Sequence, residues 1–346
     1  MQIIMVSLLP KNQRVFWLSL FGFCSILYMV VTLNKFKPAS VPIYPPPDVE
    51  MIELCGEKVV SSQWEDGPVY LITPTYTRRE QIAELTRLGQ TLKLAGNIHW
   101  ILAEDAGHCS TMVSALLERL NISYSHLLSP QPAMYRAAKL RYNPRGVSSR
   151  RAGLHWLLNR TWQGVVYFGD DDNTYDTRLF QQISRTSRVS MFPVGFIGRQ
   201  GVSSPIVKEG KVIGFSDDWF AGRQFPVDMA GFAINVQFLR KRNPSADTAM
   251  PYKAGYEEDL FLQSLNLTLE EIEPLAGDCS EVLVWHTKTL KDKTAKLRPL
   301  QGFEDQTNLQ SLQTFLIDTG IAELGGTTGQ TLRKCYSLEK CKTQKS

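Results

Sequence analysis

Residues 165–175 read Val165-Val166-Tyr167-Phe168-Gly169-Asp170-Asp171-Asp172-Asn173-Thr174-Tyr175. The four β-prone apolar residues predict a buried strand, which ends at a glycine and runs directly into three carboxylates. Adjacent carboxylates repel one another, and a divalent cation with oxygen ligands offsets that repulsion. A cation that also held a diphosphate would make this segment half of a nucleotide-sugar site. The alternative interpretation is an acidic turn that caps the helix predicted after it.

Strand and helix patterns alternate in front of this segment. Strands are predicted at 69–73, 99–103 and 123–128, and helices at 79–95, 112–120 and 150–162. This alternation predicts an α/β fold with a mostly parallel sheet flanked by helices on both faces. Ligands bind at the carboxyl ends of the strands in such sheets. Residues 74–76, Glu104-Asp105 and the three aspartates all follow predicted strands, which favours a binding site over an acidic turn.

The second half of the chain has a different texture. Strands are predicted at 191–198, 211–215 and 282–285, and an apolar segment at 225–235 is interrupted by Asp228. A leucine-rich helix is predicted after the acidic residues 257–259. From about residue 307 the chain is polar and is expected to add little to the core.

The composition restricts the class of protein. The chain has 346 residues, 43% of them hydrophobic, which suffices for one large core or two small ones. Its net charge of +4 comes from scattered basic residues, so nothing indicates nucleic acid as a partner.

The N-terminal region predicts a membrane anchor. Residues 15–33 carry no charge and are long enough to cross a bilayer as a helix. A cleaved signal peptide is the alternative, but this apolar run is longer than such peptides use and no clear cleavage site follows. We therefore expect a cytosolic tail (1–14), a transmembrane signal-anchor (15–33), a proline-rich stem (34–66) and a lumenal domain.

Sequons and cysteines agree with a lumenal location. Three sequons begin at Asn121, Asn159 and Asn266. Of the six cysteines, one lies in the predicted membrane span, which leaves an odd number on the oxidising side. Cys55 falls in the predicted stem, so we expect it to bridge two subunits. Cys335 and Cys341 could pair locally.

Several polar residues outside the aspartates could take part in group transfer from a nucleotide sugar. Arg145 and Arg150 could clamp phosphate or a sugar carboxylate, or could simply begin a solvated helix. Glu258 is the candidate general base, at a helix N-terminus that favours a carboxylate; the alternative is an ordinary first-turn acid. His286 follows a buried strand and could be structural. Asp228 interrupts an apolar run and needs a partner, for which a sugar hydroxyl or Arg223 would serve.

Taken together, these motifs resemble the β-1,3-glucuronyltransferases of glycosyltransferase family 43 over roughly residues 68–290. The motifs that carry the resemblance are Pro74-Thr75-Tyr76, Glu104-Asp105, Pro144-Arg145-Gly146, residues 167–175, residues 228–233 and Val284-Trp285-His286-Thr287. The resemblance implies a GT-A fold and a Mn²⁺-dependent, inverting transfer of glucuronic acid from UDP-glucuronate to the 3-OH of a terminal galactose. It also implies a Golgi-anchored type II membrane protein that forms a homodimer. The acceptor would be the proteoglycan linkage region or, second, a glycoprotein N-acetyllactosamine end.

The resemblance also assigns roles to individual residues. On the donor side it implies uracil contacts from Pro74, Thr75, Tyr76 and Asp105, and further donor contacts from Arg145, Arg150, Asp170, Asp171, His286 and Lys288. Asp172 would bind the metal, and Glu258 would be the base. The acceptor side would comprise Trp219, Arg223 and Asp228. The catalytic domain would span 67–306, with a UDP-binding half (67–175) and an acceptor half (176–306), and 307–346 would be an extension.

Two departures from the family pattern keep other functions open. Ser203 lies where the family has an acceptor-binding glutamate, and Lys288 replaces an arginine. One alternative is therefore a lumenal glycan-binding protein of the same fold that has lost catalysis. Another is a transferase that uses a different UDP-sugar.

Overall fold

The computed structural model describes residues 51–60, 67–137, 144–290, 294–297 and 308–325. The predicted tail and membrane span, most of the predicted stem, and Cys335 and Cys341 lie outside these ranges. No helix within the described ranges is both long enough and apolar enough to span a bilayer.

The described residues form fifteen strands and ten α-helices. The strands are β1 Glu53–Lys58, β2 Val69–Tyr76, β3 Ile98–Asp105, β4 Ser123–Leu128, β5 Val165–Phe168, β6 Thr174–Tyr175, β7 Val189–Met191, β8 Val194–Gly195, β9 Val202–Lys208, β10 Lys211–Ser216, β11 Phe232–Asn235, β12 Ile272–Pro274, β13 Val284–Trp285, β14 Ala295–Leu297 and β15 Ala322–Leu324. The helices are α1 Gln81–Ala95, α2 Thr111–Leu120, α3 Ala133–Ala137, α4 Val147–Arg160, α5 Thr177–Ile183, α6 Val236–Arg242, α7 Ala246–Ala249, α8 Glu257–Gln263, α9 Ala276–Cys279 and α10 Leu309–Asp318.

The main sheet has eight strands in the order β1-β4-β3-β2-β5-β11-β7-β12. Its centre is parallel, because β2 pairs in parallel with both β3 and β5, and β3 pairs in parallel with β4. The prediction of a parallel sheet in the first half is thus confirmed. Alternate residues of β2 enter separate apolar clusters: Leu71 packs with Leu85 and Leu88 of α1, whereas Ile72 packs with Leu154 and others of α4.

A second sheet of five strands, in the order β10-β9-β8-β13-β6, lies after the aspartates in the chain. β6 pairs antiparallel with β13, so that Thr174 lies opposite Trp285. The three aspartates therefore connect β5 of the main sheet to β6 of the second. Because of this pairing, the residues that follow β13 in the chain lie close to the three aspartates.

One predicted strand is wrong in its extent. Residues 191–198 form two short strands, β7 and β8, which belong to different sheets. Pro193 lies between them and has no N–H to donate to a sheet ladder, so a single continuous strand is disfavoured there.

The structure corrects the interpretation of Cys55. This residue lies on β1, which pairs antiparallel with β4, and it forms a disulfide with Cys109 across a Cα–Cα distance of 5.7 Å. The prediction that Cys55 bridges two subunits is therefore wrong. Residues 53–58 belong to the main sheet and not to an extended stem. Cys279 is partly buried and has no disulfide partner among the described residues.

The described part of the C-terminal extension is folded. Helix α10 is followed by β15, which pairs in parallel with β14. Thr319 and Ala322 are buried at the end of this unit. The backbone of Gly320 packs close to Arg78 and Arg79, which follow β2.

Candidate active site

Two adjoining cavities, each of about 490 Å³, open at the carboxyl ends of the parallel strands. They share three lining residues, Arg145, Arg150 and Asp170. The first, called the donor cavity below, is further lined by predicted site residues Pro74, Thr75, Tyr76, Asp105, Asp171, Asp172 and Lys288. The second, called the acceptor cavity below, is further lined by Asp228, Glu258, His286, Glu257 and Gly255. The site residues predicted from both halves of the chain thus converge on one region.

Asp171 is held by two partners from the end of β2. The hydroxyl of Thr75 donates to one carboxylate oxygen at 2.7 Å, and the guanidinium of Arg78 donates to the other at 2.7 Å. Burial raises the pKa of Asp171, and Arg78 and Thr75 oppose that rise. Arg78 also forms an ion pair with Glu84 of α1. Asp171 therefore ties the aspartate segment to β2 and α1.

Asp172 belongs to a group of three carboxylates that could hold a metal ion. One oxygen each from Glu84, Asp171 and Asp172 lies within 4.8 Å of the others. Burial, together with the neighbouring charges of Asp170 and Asp171, raises the pKa of Asp172 to about 6. An all-oxygen donor set of this kind fits a hard divalent cation, which would relieve the same repulsion.

The backbone of Asp172 is fastened independently of its carboxylate. Its carbonyl oxygen accepts hydrogen bonds from Arg87 at 2.9 Å and from the hydroxyl of Thr287 at 2.5 Å. Thr287 also contacts Thr174, with 3.0 Å between the hydroxyl oxygens. The pairing of β6 with β13 thus places Asp172 beside Lys288 and Thr289, which line the donor cavity.

Asp170 pairs with the buried guanidinium of Arg150, with a nitrogen-to-oxygen distance of 2.5 Å. Arg150 lies in the first turn of α4, which begins after Gly146. Gly146 has a φ of +71°, and a Cβ there would lie 2.9 Å from Arg150 Nη1 and 3.1 Å from Pro74. Glycine is needed at this position for both reasons. With exposed Arg145 and Lys288, Arg150 supplies positive charge around the donor cavity.

The far end of the donor cavity contains Asp105 and Tyr76, at the ends of β3 and β2. The carboxylate of Asp105 accepts a hydrogen bond from the backbone N–H of Gln131 at 2.8 Å and forms an ion pair with Arg136. The guanidinium of Arg78 lies over the ring of Tyr76, 4.7 Å from its centre. This end offers the aromatic and polar groups that a nucleobase contacts.

Glu258, in the first turn of α8, lines the acceptor cavity together with Asp228 and His286. Burial, together with the charges of Glu257 and Asp228, raises the pKa of Glu258 to about 8. His286 Nδ1 lies 3.4 Å from a carboxylate oxygen of Asp228, and this contact raises the pKa of His286 to about 9. A carboxylate with a raised pKa is suited to accept a proton.

Three sequence-selected residues lie outside the walls of both cavities. The indole of Trp219 rests on Gly255, which does line the acceptor cavity. Arg223 lies over that indole, 4.7 Å from the ring centre, and forms an ion pair with Asp217. Ser203 is buried on β9 and does not reach either cavity.

Sequence patterns did not single out Arg78, Glu84, Thr287 or Thr289, which lie at the site. Arg78 closely follows the motif Pro74-Thr75-Tyr76, and Thr287 is the last residue of the motif 284–287, so position along the chain was an available signal for both. Glu84 carried no such signal, because in sequence it is only an acidic residue in the first turn of α1. The asparagines of all three predicted sequons are exposed, as glycan attachment requires, and their glycosylation stays a prediction.

The fold and the site are typical of enzymes that transfer a sugar from a nucleoside diphosphate sugar. Comparison with known proteins supports the same class of enzyme. The sequence profile of glycosyltransferase family 43 matches residues 88–290, more than half of the chain. This chain belongs to glycosyltransferase family 43.

Similar proteins carry a common name, galactosylgalactosylxylosylprotein 3-beta-glucuronosyltransferase. The form designated S from Drosophila melanogaster is 49% identical over 76% of this chain and 66% of its own length. Form P from Drosophila melanogaster is 47% identical over 72% of this chain and 51% of its own length. Form 2 from Homo sapiens is 42% identical over 64% of this chain and 69% of its own length. This chain thus spans less than two thirds of the length of the two Drosophila relatives.

Proposed function

We propose that this chain is an inverting transferase of GT-A fold that moves glucuronic acid from UDP-glucuronate to the 3-OH of a terminal galactose. The observation that carries the proposal is the shared wall of the two cavities. Through this wall, the donor cavity, which is lined by acidic residues and arginines, adjoins the cavity that Glu258 lines. The names of the similar proteins support both the sugar transferred and the galactose acceptor.

We propose Mn²⁺ as the cofactor, held by Asp172 with Glu84 and Asp171. The bound ion would supply positive charge to the diphosphate leaving group. Arg150 and Arg145 lie where they can bind phosphate or the carboxylate of the sugar, and Lys288 adds a third positive charge. Asp105 and Tyr76 would contact the uracil, and Asp170 the ribose or sugar.

In the proposed reaction, Glu258 accepts the proton of the galactose 3-OH while that oxygen bonds to the anomeric carbon of the donor. The bond from that carbon to the diphosphate breaks, and UDP leaves with its electron pair. A single displacement inverts the anomeric centre. Burial and the charges of Glu257 and Asp228 raise the pKa of Glu258 to about 8, which makes it a stronger base than an exposed glutamate. Asp228, beside His286, would orient a sugar hydroxyl in the same cavity.

The proposed acceptor is the proteoglycan linkage region, as the names of the similar proteins indicate. Ser203 differs from the family pattern, but it is buried and lines neither cavity. Its contacts therefore give no reason to exclude this acceptor. A glycoprotein N-acetyllactosamine end is the second candidate.

One matrix of donors and acceptors tests the proposal. A purified lumenal domain that keeps Cys55 would be assayed with several UDP-sugars against a galactosyl-galactosyl-xyloside, N-acetyllactosamine and a xyloside without galactose. Transfer is expected from UDP-glucuronate to the first acceptor, lost in chelator and restored by Mn²⁺. Transfer from a different UDP-sugar would contradict the donor assignment. UDP binding without turnover on any acceptor would instead favour a glycan-binding protein.

We further propose a Golgi location with the catalytic domain in the lumen, and a homodimer. The uncharged residues 15–33 and the exposed sequon asparagines support the topology. The catalytic domain should be protected from added protease in sealed microsomes. Treatment with a glycosidase should lower the mass of the wild-type protein. Sedimentation should give a dimer that persists in reducing agent, because Cys55 pairs with Cys109 within the chain.

A further inference from the structure

Glu104, the last residue but one of β3, has a fully buried carboxylate that lines neither cavity and has no role in the proposed reaction. Its Oε2 lies 3.1 Å from Nε2 of His126, which is equally buried, and accepts a hydrogen bond from the backbone N–H of Ser110 at 3.3 Å. Its Oε1 accepts one from the side-chain amide of Gln81 at 3.2 Å. A buried carboxylate is costly unless donors surround it, so these contacts hold Glu104 in place.

Gln81, the first residue of α1, is fixed in orientation by this carboxylate. A glutamine amide has a donor end and an acceptor end, whereas a carboxylate only accepts hydrogen bonds. The NH₂ group of Gln81 therefore faces Glu104, because the carbonyl end would be repelled there. The same nitrogen lies 3.3 Å from the hydroxyl oxygen of Thr75, to which it donates its second hydrogen. Gln81 is buried and lines neither cavity, so it acts on the site only through its neighbours.

The hydroxyl of Thr75 has a single proton to donate. Because this hydroxyl accepts from Gln81, its proton is directed to the carboxylate oxygen of Asp171, 2.7 Å away. Thr75 and Asp171 are both buried, so the protein itself must supply this hydrogen bond. The buried polar chain formed by Glu104, Gln81 and Thr75 thus has one direction of donation and ends on the aspartate segment.

We infer that Glu104 is a positioning residue that, through Gln81, directs the hydroxyl of Thr75 to Asp171 and so holds the aspartate segment ready to bind nucleotide and metal. The inference deepens the proposed function and rests on it. Glu104 and Gln81 line neither cavity, so replacing them removes no direct contact to either ligand. A loss of UDP affinity in such variants therefore measures how well the aspartate segment is held.

The test is the Glu104→Gln variant, which keeps the size of the side chain. Its amide offers a donor as well as an acceptor, so it no longer fixes the orientation of Gln81. The Kd for UDP in the presence of Mn²⁺, from calorimetry, should rise about tenfold, as expected for a lost hydrogen bond to a charged group. Gln81→Met removes the middle of the chain, so it should give the same rise and replaces Glu104→Gln if that variant does not fold. An unchanged Kd for UDP in the folded variant would overturn the inference.

The matched control is Ser125→Ala, which also removes a buried polar contact between β3 and β4. The hydroxyl oxygen of Ser125 lies 2.9 Å from Nε2 of His99, and the same hydroxyl donates to Glu57 of β1 at 3.0 Å. Ser125 lines neither cavity. This variant should lose stability but keep the wild-type Kd for UDP. A comparable loss of UDP affinity in Ser125→Ala would mean that any loosening of these strands suffices, and would overturn the assignment to Glu104.

A double-mutant cycle shows whether Glu104 acts through Thr75. Thr75→Val keeps the shape of the side chain and removes its hydroxyl. In that background, Glu104→Gln should weaken UDP binding no further. A further loss of the full size would refute the route through Thr75 and would point instead to Asp105, which follows Glu104 in the chain and lines the donor cavity.

Amide hydrogen exchange keeps the inference testable if the wild type transfers no sugar or binds no UDP, the results that would count against the proposed function. The backbone N–H of Gly169, beside the aspartates, donates to the carbonyl of Ile72 at 3.1 Å. Without any ligand, exchange over residues 169–175 should be faster in Glu104→Gln than in the wild type, and unchanged in Ser125→Ala. Exchange at the wild-type rate in Glu104→Gln would refute the positioning role.

Discussion

At the scale of single residues, the acceptor cavity holds one carboxylate, Glu258, whose pKa is raised by burial and by two neighbouring carboxylates. Glu258 carries the largest consequence, because burial, Glu257 and Asp228 together bring its pKa to about 8. Its position in an acidic first turn of α8 could be predicted from sequence. Its raised pKa could not, because Asp228 is distant along the chain and burial depends on how α8 packs against the sheet.

Replacing Glu258 by Gln should remove the proton acceptor while keeping the size of the side chain. Transfer should fall by about 10²–10⁴-fold, the range expected for loss of a general base. Binding of UDP with Mn²⁺, followed by calorimetry, should persist, because Glu258 lines only the acceptor cavity. Transfer at the wild-type rate would remove Glu258 as the base.

Replacing Glu257 by Gln should move the acid limb of the pH–rate profile. Glu258 works as a base only when deprotonated, so kcat/KM should rise as pH increases through its pKa. The charge of Glu257 raises that pKa, so its removal lowers the pKa and shifts the limb to lower pH. Glu270→Gln, at an exposed glutamate, is the control and should leave the limb in place. A shift to higher pH would contradict the assignment.

At the scale of elements, sequence patterns predicted the parallel core and the polar residues at the ends of its strands. Such patterns suffice because strand and helix periods are local properties. They did not predict the β6–β13 pairing or the antiparallel placement of β11 between β5 and β7. Those pairings join segments far apart in the chain and leave no periodic signal. The position of Thr287 beside Asp172 follows from one of them.

The turn at Gly146 can be altered to test how the start of α4 positions Arg150. A Cβ at Gly146 would press on Arg150 and Pro74, so Gly146→Ala should disturb the Arg150–Asp170 pair and weaken UDP binding about tenfold, which corresponds to about 1.4 kcal/mol. Gly210→Ala is the matched control, because Gly210 has the same φ of +71° with no atom near the added Cβ. The positive φ alone should cost each variant about 1 kcal/mol of folding stability. Equal UDP affinity in the two variants would refute this role of the turn.

At the scale of the whole molecule, the α/β class and the convergence of site residues from both halves could be predicted, whereas the role of residues 53–58 could not. A short strand on the edge of a sheet, following a proline-rich segment, carries too little periodicity to be recognised. Its pairing with β4 also determines which cysteine Cys55 meets. The C-terminal extension was likewise expected to add little, yet Thr319 and Ala322 are buried.

The Cys55–Cys109 disulfide should contribute to stability and not to assembly. It closes a sequence separation of 54 residues, for which the chain-entropy relation gives about 4 kcal/mol. Cys55→Ser should therefore lower the free energy of unfolding in urea by up to about that amount. Its sedimentation coefficient should match that of the wild type. A disulfide-linked dimer that is present in the wild type and absent in Cys55→Ser on a non-reducing gel would contradict the pairing.

Arg145, Arg150 and Asp170 face both cavities, and this has a kinetic consequence. A bound donor would pack against these three residues and so complete one side of the space that the galactose enters. The acceptor would then meet its full set of contacts only after the nucleotide sugar has arrived. Turnover should follow a compulsory order, with the donor first on and UDP last off. UDP would then compete with the donor for the free enzyme but would not compete with the acceptor.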